Sequence, residues 1–168
     1  MRDIIVEVPN GVEVKSDGSA IYVKGPKGEA SKSIKAKFTL SIKDSRVEVE
    51  TASAPLKNTI KAHIRNLIQG VTEGFQKKMV IRYAHFPVTI EVKGKDVFIK
   101  NFLGEKRPRK TKLYGSTKID VKGQIITISG PSLEDLSETA VNLRRATRIK
   151  EKDGRVFQDG IYISEEVG

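Results

Sequence analysis

The first half of the chain contains several short segments in which apolar and polar residues alternate, and one longer segment with helical periodicity. Alternation is typical of half-buried strands, and it predicts strands at 7–14, 20–24, 38–42 and 47–50, with a further strand at 80–83. The helix is predicted to begin at Ala54-Pro55, because proline suits a first helical turn, and to end at Gly74. Its apolar face comprises Leu56, Ile60, Ile64, Leu67, Ile68 and Val71.

The second half repeats this succession of strands, helix and final strand. Strands are predicted at 88–92, 97–101, 117–121 and 124–129, with 161–163 after the helix. The helix is predicted to open at Gly130-Pro131, with an apolar face of Leu133, Leu136, Ala140 and Leu143. Each half therefore reads as a small antiparallel sheet packed against one helix, which is an α+β plan.

A constant offset of 76 residues relates the two halves. The segment IYVK at 21–24 matches VFIK at 97–100, and Leu67 of the first helix falls on Leu143 of the second. A repeat of this length spans a whole domain. The sequence predicts two tandem duplicated domains, residues 1–82 and 83–168, although any two strand-rich halves could share such patterns.

The balance of charges favours a polyanionic partner. The chain has 31 Lys and Arg against 21 Asp and Glu, a net charge of +10, and both halves share the excess. Basic proteins of this kind bind nucleic acid by displacing counterions from phosphates. With no Trp and few other aromatic residues, contacts to the shape and phosphates of folded RNA fit better than a stacking platform for single strands.

Cysteine usage and hydropathy bear on the compartment. The chain has no cysteine, which excludes disulfides and thiolate chemistry and agrees with a reducing compartment, so the cytoplasm is predicted. The amino terminus has no extended apolar region of the signal-peptide type. No apolar run approaches the roughly 20 residues that a spanning helix needs, so no membrane association is expected.

Few residues could support catalysis or bind a metal. Only His63 and His85 titrate near neutral pH, and neither has a paired carboxylate or serine motif or the spacing of a zinc site. The segment GPKG at 25–28 lacks the spacing of a phosphate-binding loop and is predicted to be a hairpin turn. The sequence therefore predicts no catalytic residue, no metal, no cofactor and no small-molecule substrate.

Two basic clusters of the second half are the predicted RNA contacts. The segment 101–112 is predicted as an exposed loop, because Gly104 and Pro108 oppose regular structure, with Phe102 and Leu103 as candidates for nucleotide contacts. The first cluster comprises Lys100, Lys106, Arg107, Arg109, Lys110 and Lys112. The second, at the end of the second helix and beyond it, comprises Arg144, Arg145, Arg148, Lys150, Lys152 and Arg155. The alternative is a solvated loop and a few cations that answer the helix dipole.

Four motifs are spread along essentially the whole chain. They are IVEVP at 5–9, AHIRNLIQGVTEGF at 62–75, ISGP at 128–131 and RVFQDGIY at 155–162. Together they resemble the L-six family of large-subunit ribosomal proteins. The last motif is the most specific, since it resembles the ending of the archaeal and eukaryotic branch, and the source is therefore predicted to be archaeal.

The resemblance implies a duplicated α+β ribonucleoprotein component that binds large-subunit (23S-type) ribosomal RNA near the stalk base, close to the sarcin-ricin loop and factor-binding region, and so supports translation. It implies neighbouring large-subunit proteins as partners, including those of the stalk base, and a place in the cytoplasmic large subunit. In that family the carboxy-terminal domain makes much of the RNA contact, so 83–168 is expected to be the main rRNA-binding domain. The RNA contact that the resemblance implies is best founded for seven basic residues, which are Lys106, Arg107, Arg109, Lys110, Arg144, Arg148 and Arg155.

Two other classes of function remain open from the residues alone. One is a free-standing RNA-binding or chaperone-like module that acts outside the ribosome. Stoichiometric association with ribosomes would distinguish a ribosomal protein from such a module. The other is an enzyme acting on nucleic acid, which would need a clustered acid-base or metal site that the sequence does not supply.

Overall fold

The computed structural model describes residues 5–82, 86–153, 155–156 and 158–164. The chain divides into two units, Met1–Gly74 and Phe75–Gly168. Each unit combines small antiparallel sheets with one α-helix. The α+β class and the tandem arrangement predicted from the sequence are confirmed.

Six strands of the first unit form two three-stranded antiparallel sheets. They are β1 (Val6–Glu7), β2 (Glu13–Ser16), β3 (Ala20–Gly25), β4 (Gly28–Ser33), β5 (Thr39–Lys43) and β6 (Arg46–Glu50). The strand orders are β1-β6-β5 and β2-β3-β4. Among its described residues, the first unit thus has two sheets where the sequence predicted one.

Two strands of the first unit differ from the predicted ones. The predicted strand 7–14 is divided between β1 and β2, which lie in different sheets, because the chain turns at Pro9 and at Gly11, whose φ is +87°. Strand β4 was not predicted, because its sequence, GEASKS, contains no large apolar residue. It is nevertheless paired along its length with β3, and Ala30 faces the core.

Helix α1 (Ala54–Thr72) covers the core of the first unit. Its buried apolar residues are those of the predicted face, Ile60, Ile64, Leu67, Ile68 and Val71, while Leu56 is partly buried. The helix ends where the N–H of Glu73 donates to the carbonyl of Gln69, and Gly74 follows with a φ of +77°. A positive φ of this kind costs glycine little, so the predicted end is confirmed.

The second unit repeats the two sheets and adds a strand. Its strands are β7 (Phe75–Arg82), β8 (Thr89–Lys93), β9 (Asp96–Lys100), β10 (Arg109–Lys112), β11 (Lys118–Lys122), β12 (Ile125–Gly130) and β13 (Gly160–Ile163). The order β8-β9-β10 repeats β2-β3-β4, and β7-β12-β11 repeats β1-β6-β5, with β13 added beside β7. The matched orders support duplication independently of the sequence pattern.

The position of β7 moves the boundary between the units. The sequence assigned 80–83 to the first domain, as the counterpart of the last strand of the chain. In the structure β7 pairs with β12 through Met79↔Ile126 and with β13 through Val80↔Tyr162. The second unit therefore begins at Phe75 and not at Tyr83, because the strand that follows α1 is the counterpart of β1.

Helix α2 (Leu133–Ala146) covers the core of the second unit. It begins after Ser132, whose side chain accepts a hydrogen bond from the N–H of Asp135, and so starts later than the predicted Gly130-Pro131. The predicted face is buried from Leu136 onwards. Leu133 is 41% exposed, because it lies in the first turn, where the sheets do not cover it.

The predicted loop 101–112 is only partly a loop. A 3-10 turn (Phe102–Gly104) opens it, and Arg109–Lys112 form β10, paired with β9 through Lys110↔Phe98 and Lys112↔Asp96. Phe102 is 1% exposed and belongs to the core, so it is not available to nucleotides. The error arose because β10 has the sequence RKTK, in which no apolar residue indicates a strand.

Candidate nucleic-acid interface

The outward face of the β8-β9-β10 sheet carries three of the predicted lysines. Register places Lys100, Lys110 and Lys112 on that face, because the alternate residues of β9, Val97 and Ile99, point into the core. Their shared face also holds Lys93 and Phe98. We call this surface, comprising Lys93, Phe98, Lys100, Lys110 and Lys112, the lysine face.

The lysine face has an aromatic centre and two acids, Glu91 and Asp96, the second of which pairs with Lys110 at 3.5 Å. The ammonium groups of Lys93 and Lys110 lie 5.7 and 5.8 Å from the centroid of the Phe98 ring. Glu91 pairs with Lys93 and Lys100, and hydrogen bonds from these two lysines, Lys100 first, hold the pKa of the Glu91 carboxyl below its usual value. Exposed ion pairs of this kind contribute little to stability, so a phosphate can replace the acid as partner.

Lys106 and Arg107 lie between the 3-10 turn and β10 and are exposed. Within the described part of the chain neither side chain has a hydrogen bond or ion pair. Their charges are therefore open to an external anion.

Arg109 stands apart from its neighbours, since its guanidinium is bound within the protein. Its Nε and Nη2 donate to the carboxylate of Glu105 at 2.9 and 2.6 Å, and its Nη1 donates to the carbonyls of Ala146 and Arg148 at 2.9 and 3.0 Å. The guanidinium also lies 4.6 Å from the ring centroid of Phe102. The hydrogen bond from Arg109 holds the pKa of the Glu105 carboxyl below its usual value.

The second cluster lies where α2 ends. Residues 144–149, which we call the arginine turn, expose the side chains of Arg144, Arg145 and Arg148. A groove of about 480 Å³ lies on the β13 side of the turn and includes all three arginines and Tyr162 in its lining. A second groove, of about 530 Å³, lies on the Arg109 side and shares Arg145 and Arg148 with the first.

Thr147 fixes the arginine turn to β13. The hydroxyl of Thr147 donates to the carbonyls of Leu143 and Arg144 at 3.3 and 3.1 Å and accepts the N–H of Ile161 at 3.1 Å. Its side chain is buried, at 4% exposure for the residue. Arginines that extend from a fixed backbone lose less entropy on binding than arginines of a mobile tail.

Arg155 is exposed, and its backbone N–H donates to the carboxylate of Asp153 at 3.0 Å. It does not line either groove in the described part of the chain. The structure therefore brings Arg144, Arg145 and Arg148 together and leaves Arg155 separate. His85 lies outside the described residues.

Sequence reasoning missed four residues of these surfaces, of which Phe98 lies at the centre of the lysine face. Lys93 belongs to the lysine face, Tyr162 lines the first groove, and the guanidinium of Arg82 lies 5.5 Å from the ring centroid of Tyr162. The alternation of β8 could have placed Lys93 on the same sheet face as Lys100. No local signal could have joined Arg82 to Tyr162, because that contact depends on the pairing of β7 with β13.

The described residues also bear on metal binding and on membrane insertion. Among the described residues, no group of three or more His, Cys, Asp or Glu could hold a metal ion. No helix in the described part of the chain is long and apolar enough to cross a membrane.

Comparison with known proteins identifies the family. The family model described as ribosomal protein L6 matches residues 8–74 and 86–160, one segment in each unit. The chain belongs to the ribosomal protein L6 family. This confirms the resemblance drawn from the four motifs, and the two matched segments agree with the duplication.

Archaeal relatives cover nearly the whole chain. The L6-family protein of Methanobrevibacter smithii is 45% identical over an alignment of 168 positions, which covers 94% of this chain and 92% of the relative. The relative from Archaeoglobus fulgidus is 42% identical, and the alignment covers 95% of this chain and 87% of the relative. The relative from Natronomonas pharaonis is 40% identical, and the alignment covers 95% of this chain and 94% of the relative. All three are named large ribosomal subunit protein uL6.

Membership of the L6 family settles the class of function. The protein is a structural constituent of the large ribosomal subunit and not an enzyme, and it is located in the cytoplasm with the ribosome. The predicted archaeal character agrees with the archaeal relatives. The alternatives of a free-standing module and of an enzyme are thereby set aside.

Proposed function

We propose that the second unit binds large-subunit ribosomal RNA near the base of the stalk, close to the sarcin-ricin loop and the factor-binding region. The observation that carries the RNA contact is the arginine turn, where three exposed arginines extend from a backbone fixed to β13. The position near the stalk base rests on the family resemblance. Proteins of the stalk base are the expected neighbours.

The arginine turn suits phosphates better than a flexible basic tail would. A guanidinium matches two phosphate oxygens with two parallel N–H donors, so it fixes direction as well as charge. Arg144, Arg145 and Arg148 lie within one helical turn and its continuation and border two grooves. Phosphates seated in these grooves would orient the protein on its RNA.

The lysine face and the segment between the 3-10 turn and β10 offer a second, broader contact. Lys100, Lys110 and Lys112 lie on one sheet face, and Lys106 and Arg107 follow in the connection to β10. Lysines make less directional contacts than arginines. This surface therefore supplies affinity and salt dependence, whereas the arginine turn sets the register.

Neutralising the arginine turn tests the proposal. In the triple variant Arg144→Met, Arg145→Met and Arg148→Met, we expect weaker binding to deproteinised archaeal large-subunit rRNA in the presence of competitor tRNA. The slope of log affinity against log salt should fall by about two to three, since each phosphate contact contributes about 0.7 to 0.9. The matched control replaces Lys35, Lys37 and Lys43, three exposed lysines of the first unit, by Met.

Chemical footprinting of the same complexes tests the location. The wild-type protein should protect nucleotides at the stalk base and near the sarcin-ricin loop, and the triple variant should lose those protections. Protections elsewhere would contradict the proposed location. An equal loss of affinity in the control variant would show that overall charge, and not the arginine turn, governs binding.

A further inference from the structure

We propose that Arg109 is a positioning residue, which holds the arginine turn so that Arg145 and Arg148 face RNA phosphates. The proposal rests on the proposed function, because it assigns a role within that RNA contact. The sequence grouped Arg109 with the residues that contact RNA. In this proposal Arg109 instead shapes the surface from which those residues extend.

The guanidinium of Arg109 is already occupied within the protein. Its hydrogen bonds to Glu105, to the carbonyl of Ala146 and to the carbonyl of Arg148 number four, and a guanidinium has five N–H donors. One of its faces lies against Phe102, and only 25% of the side chain is exposed. Little of Arg109 is left to bind a phosphate.

The bonds of Arg109 act on the backbone from which the contact arginines extend. The last carbonyls of a helix have no partner within the helix. Arg109 supplies donors for the carbonyl of Ala146, the last residue of α2, and for that of Arg148, two residues beyond the helix. These residues lie 37 and 39 positions away in the sequence, so Arg109 ties the β9–β10 connection to the arginine turn. Glu105 orients the guanidinium for this task.

The first unit has an equivalent hydrogen bond between its strand connection and the end of its helix, but there the backbone makes it. There the β3–β4 hairpin is short, and the backbone N–H of Lys27 donates to the carbonyl of Val71 near the end of α1, at 2.8 Å. In the second unit the equivalent connection is lengthened to residues 101–108. There the side chain of Arg109 donates to carbonyls at the end of the helix and just beyond it, as the backbone N–H of Lys27 does near the end of α1 in the first unit. This parallel supports an internal, structural use of the guanidinium.

A pair of acid-to-alanine variants separates positioning from charge. Glu105→Ala removes the acceptor that orients Arg109, whereas Glu151→Ala removes an acid from the lining of the same groove and leaves the bonds of Arg109 in place. On charge alone, each change should tighten binding to RNA. We expect Glu105→Ala to weaken binding to deproteinised archaeal large-subunit rRNA by roughly three- to tenfold, the effect of about one lost hydrogen bond. Glu151→Ala should bind slightly more tightly than wild type.

The conservative variant Arg109→Lys gives a second measurement. Lysine keeps the charge but lacks the fork of donors that reaches Glu105 and two carbonyls. We expect Arg109→Lys to bind RNA as weakly as Arg109→Met, at a temperature where circular dichroism shows both variants folded. In the free protein, hydrogen exchange of the Arg148 amide, which donates to the carbonyl of Arg145, should become faster in both.

The outcomes distinguish this proposal from the proposed function. If wild-type protein shows no preference for rRNA over tRNA, the proposed function fails. Hydrogen exchange of the Arg148 amide still tests whether Arg109 holds the arginine turn in place. Unchanged exchange at Arg148 in Arg109→Lys overturns the positioning role. So does Glu105→Ala binding as tightly as Glu151→Ala, or Arg109→Lys binding as tightly as wild type.

Discussion

A single glycine sets how closely the β3–β4 hairpin approaches α1. A Cβ atom added at Gly25 would lie 2.7 Å from Cγ2 of Val71 and 2.8 Å from its carbonyl oxygen. The backbone of Gly25 needs no left-handed conformation, so close approach is the reason for glycine here. The same approach allows the hydrogen bond from Lys27 to Val71.

Replacement of Gly25 by alanine should therefore destabilise the protein. We expect Gly25→Ala to lower the free energy of unfolding by about 1 to 3 kcal/mol, the usual cost of overpacking, in urea titrations. Gly130→Ala is the control, because its Cβ would approach no atom closer than 3.4 Å, the Cα of Thr117. Equal stability of the two variants would show that the hairpin moves away from the helix without cost.

Arg107 and Arg109 show what the sequence could and could not reveal about single residues. Both belong to one basic run, and charge alone grouped them as RNA contacts. The structure leaves Arg107 exposed and binds Arg109 to Glu105, Ala146 and Arg148. Two of these partners are distant in sequence, so no local pattern could separate the two arginines.

Between elements, one hydroxyl links the end of α2 to β13 by hydrogen bonds, beside the apolar contacts of Ile161 with the core. Thr147 links the last turn of α2 to the N–H of Ile161, the second residue of β13. Both Thr147 and Ile161 are buried. An N–H left there without an acceptor would be costly.

The variant Thr147→Val should weaken this link, whereas Thr147→Ser should preserve it. Valine keeps the shape and removes the acceptor, so we expect a loss of about 1 to 3 kcal/mol in the free energy of unfolding. Hydrogen exchange of the Ile161 amide should rise in the valine variant. Slow exchange of that amide in Thr147→Val would mean that another acceptor replaces the hydroxyl.

Elements with an apolar period were predictable, and polar strands were not. The buried face of α1 follows from the spacing of Ile60, Ile64 and Leu67 along the sequence. Strands β4 and β10 were missed because their stability comes from pairing with β3 and β9, which local sequence does not encode. Lys110 is exposed, as its charge suggested, but it lies in a strand and not in the predicted loop.

At the scale of the whole molecule, β7 decides where one unit stops and the next begins. It lies between β12 and β13 in a four-stranded sheet, so removing it would leave both neighbours without a partner on that side. The sequence placed the boundary at 82/83 because β7 follows α1 just as the last strand follows α2. Pairing partners, and not order along the chain, assign it to the second unit.

Two pairs of fragments test this boundary. We expect residues 75–168 to give a cooperative thermal transition by circular dichroism and residues 83–168 to give none, because the shorter fragment lacks Met79 and Ile81 of the core. The matched pair for the first unit is 1–74 and 1–82, which should be equally stable. A cooperative transition in 83–168 would contradict the assignment of β7.

The pairing of β7 with β13 also has a consequence for synthesis. The first unit has all its strands and its helix once residue 72 has emerged, so it can fold while translation continues. In the second unit the earliest strand, β7, pairs with the last, β13. Contacts between such distant segments slow folding. One edge of β7 therefore stays unpaired until residues 160–163 have been synthesised, and until then it is open to chaperones or to unwanted association.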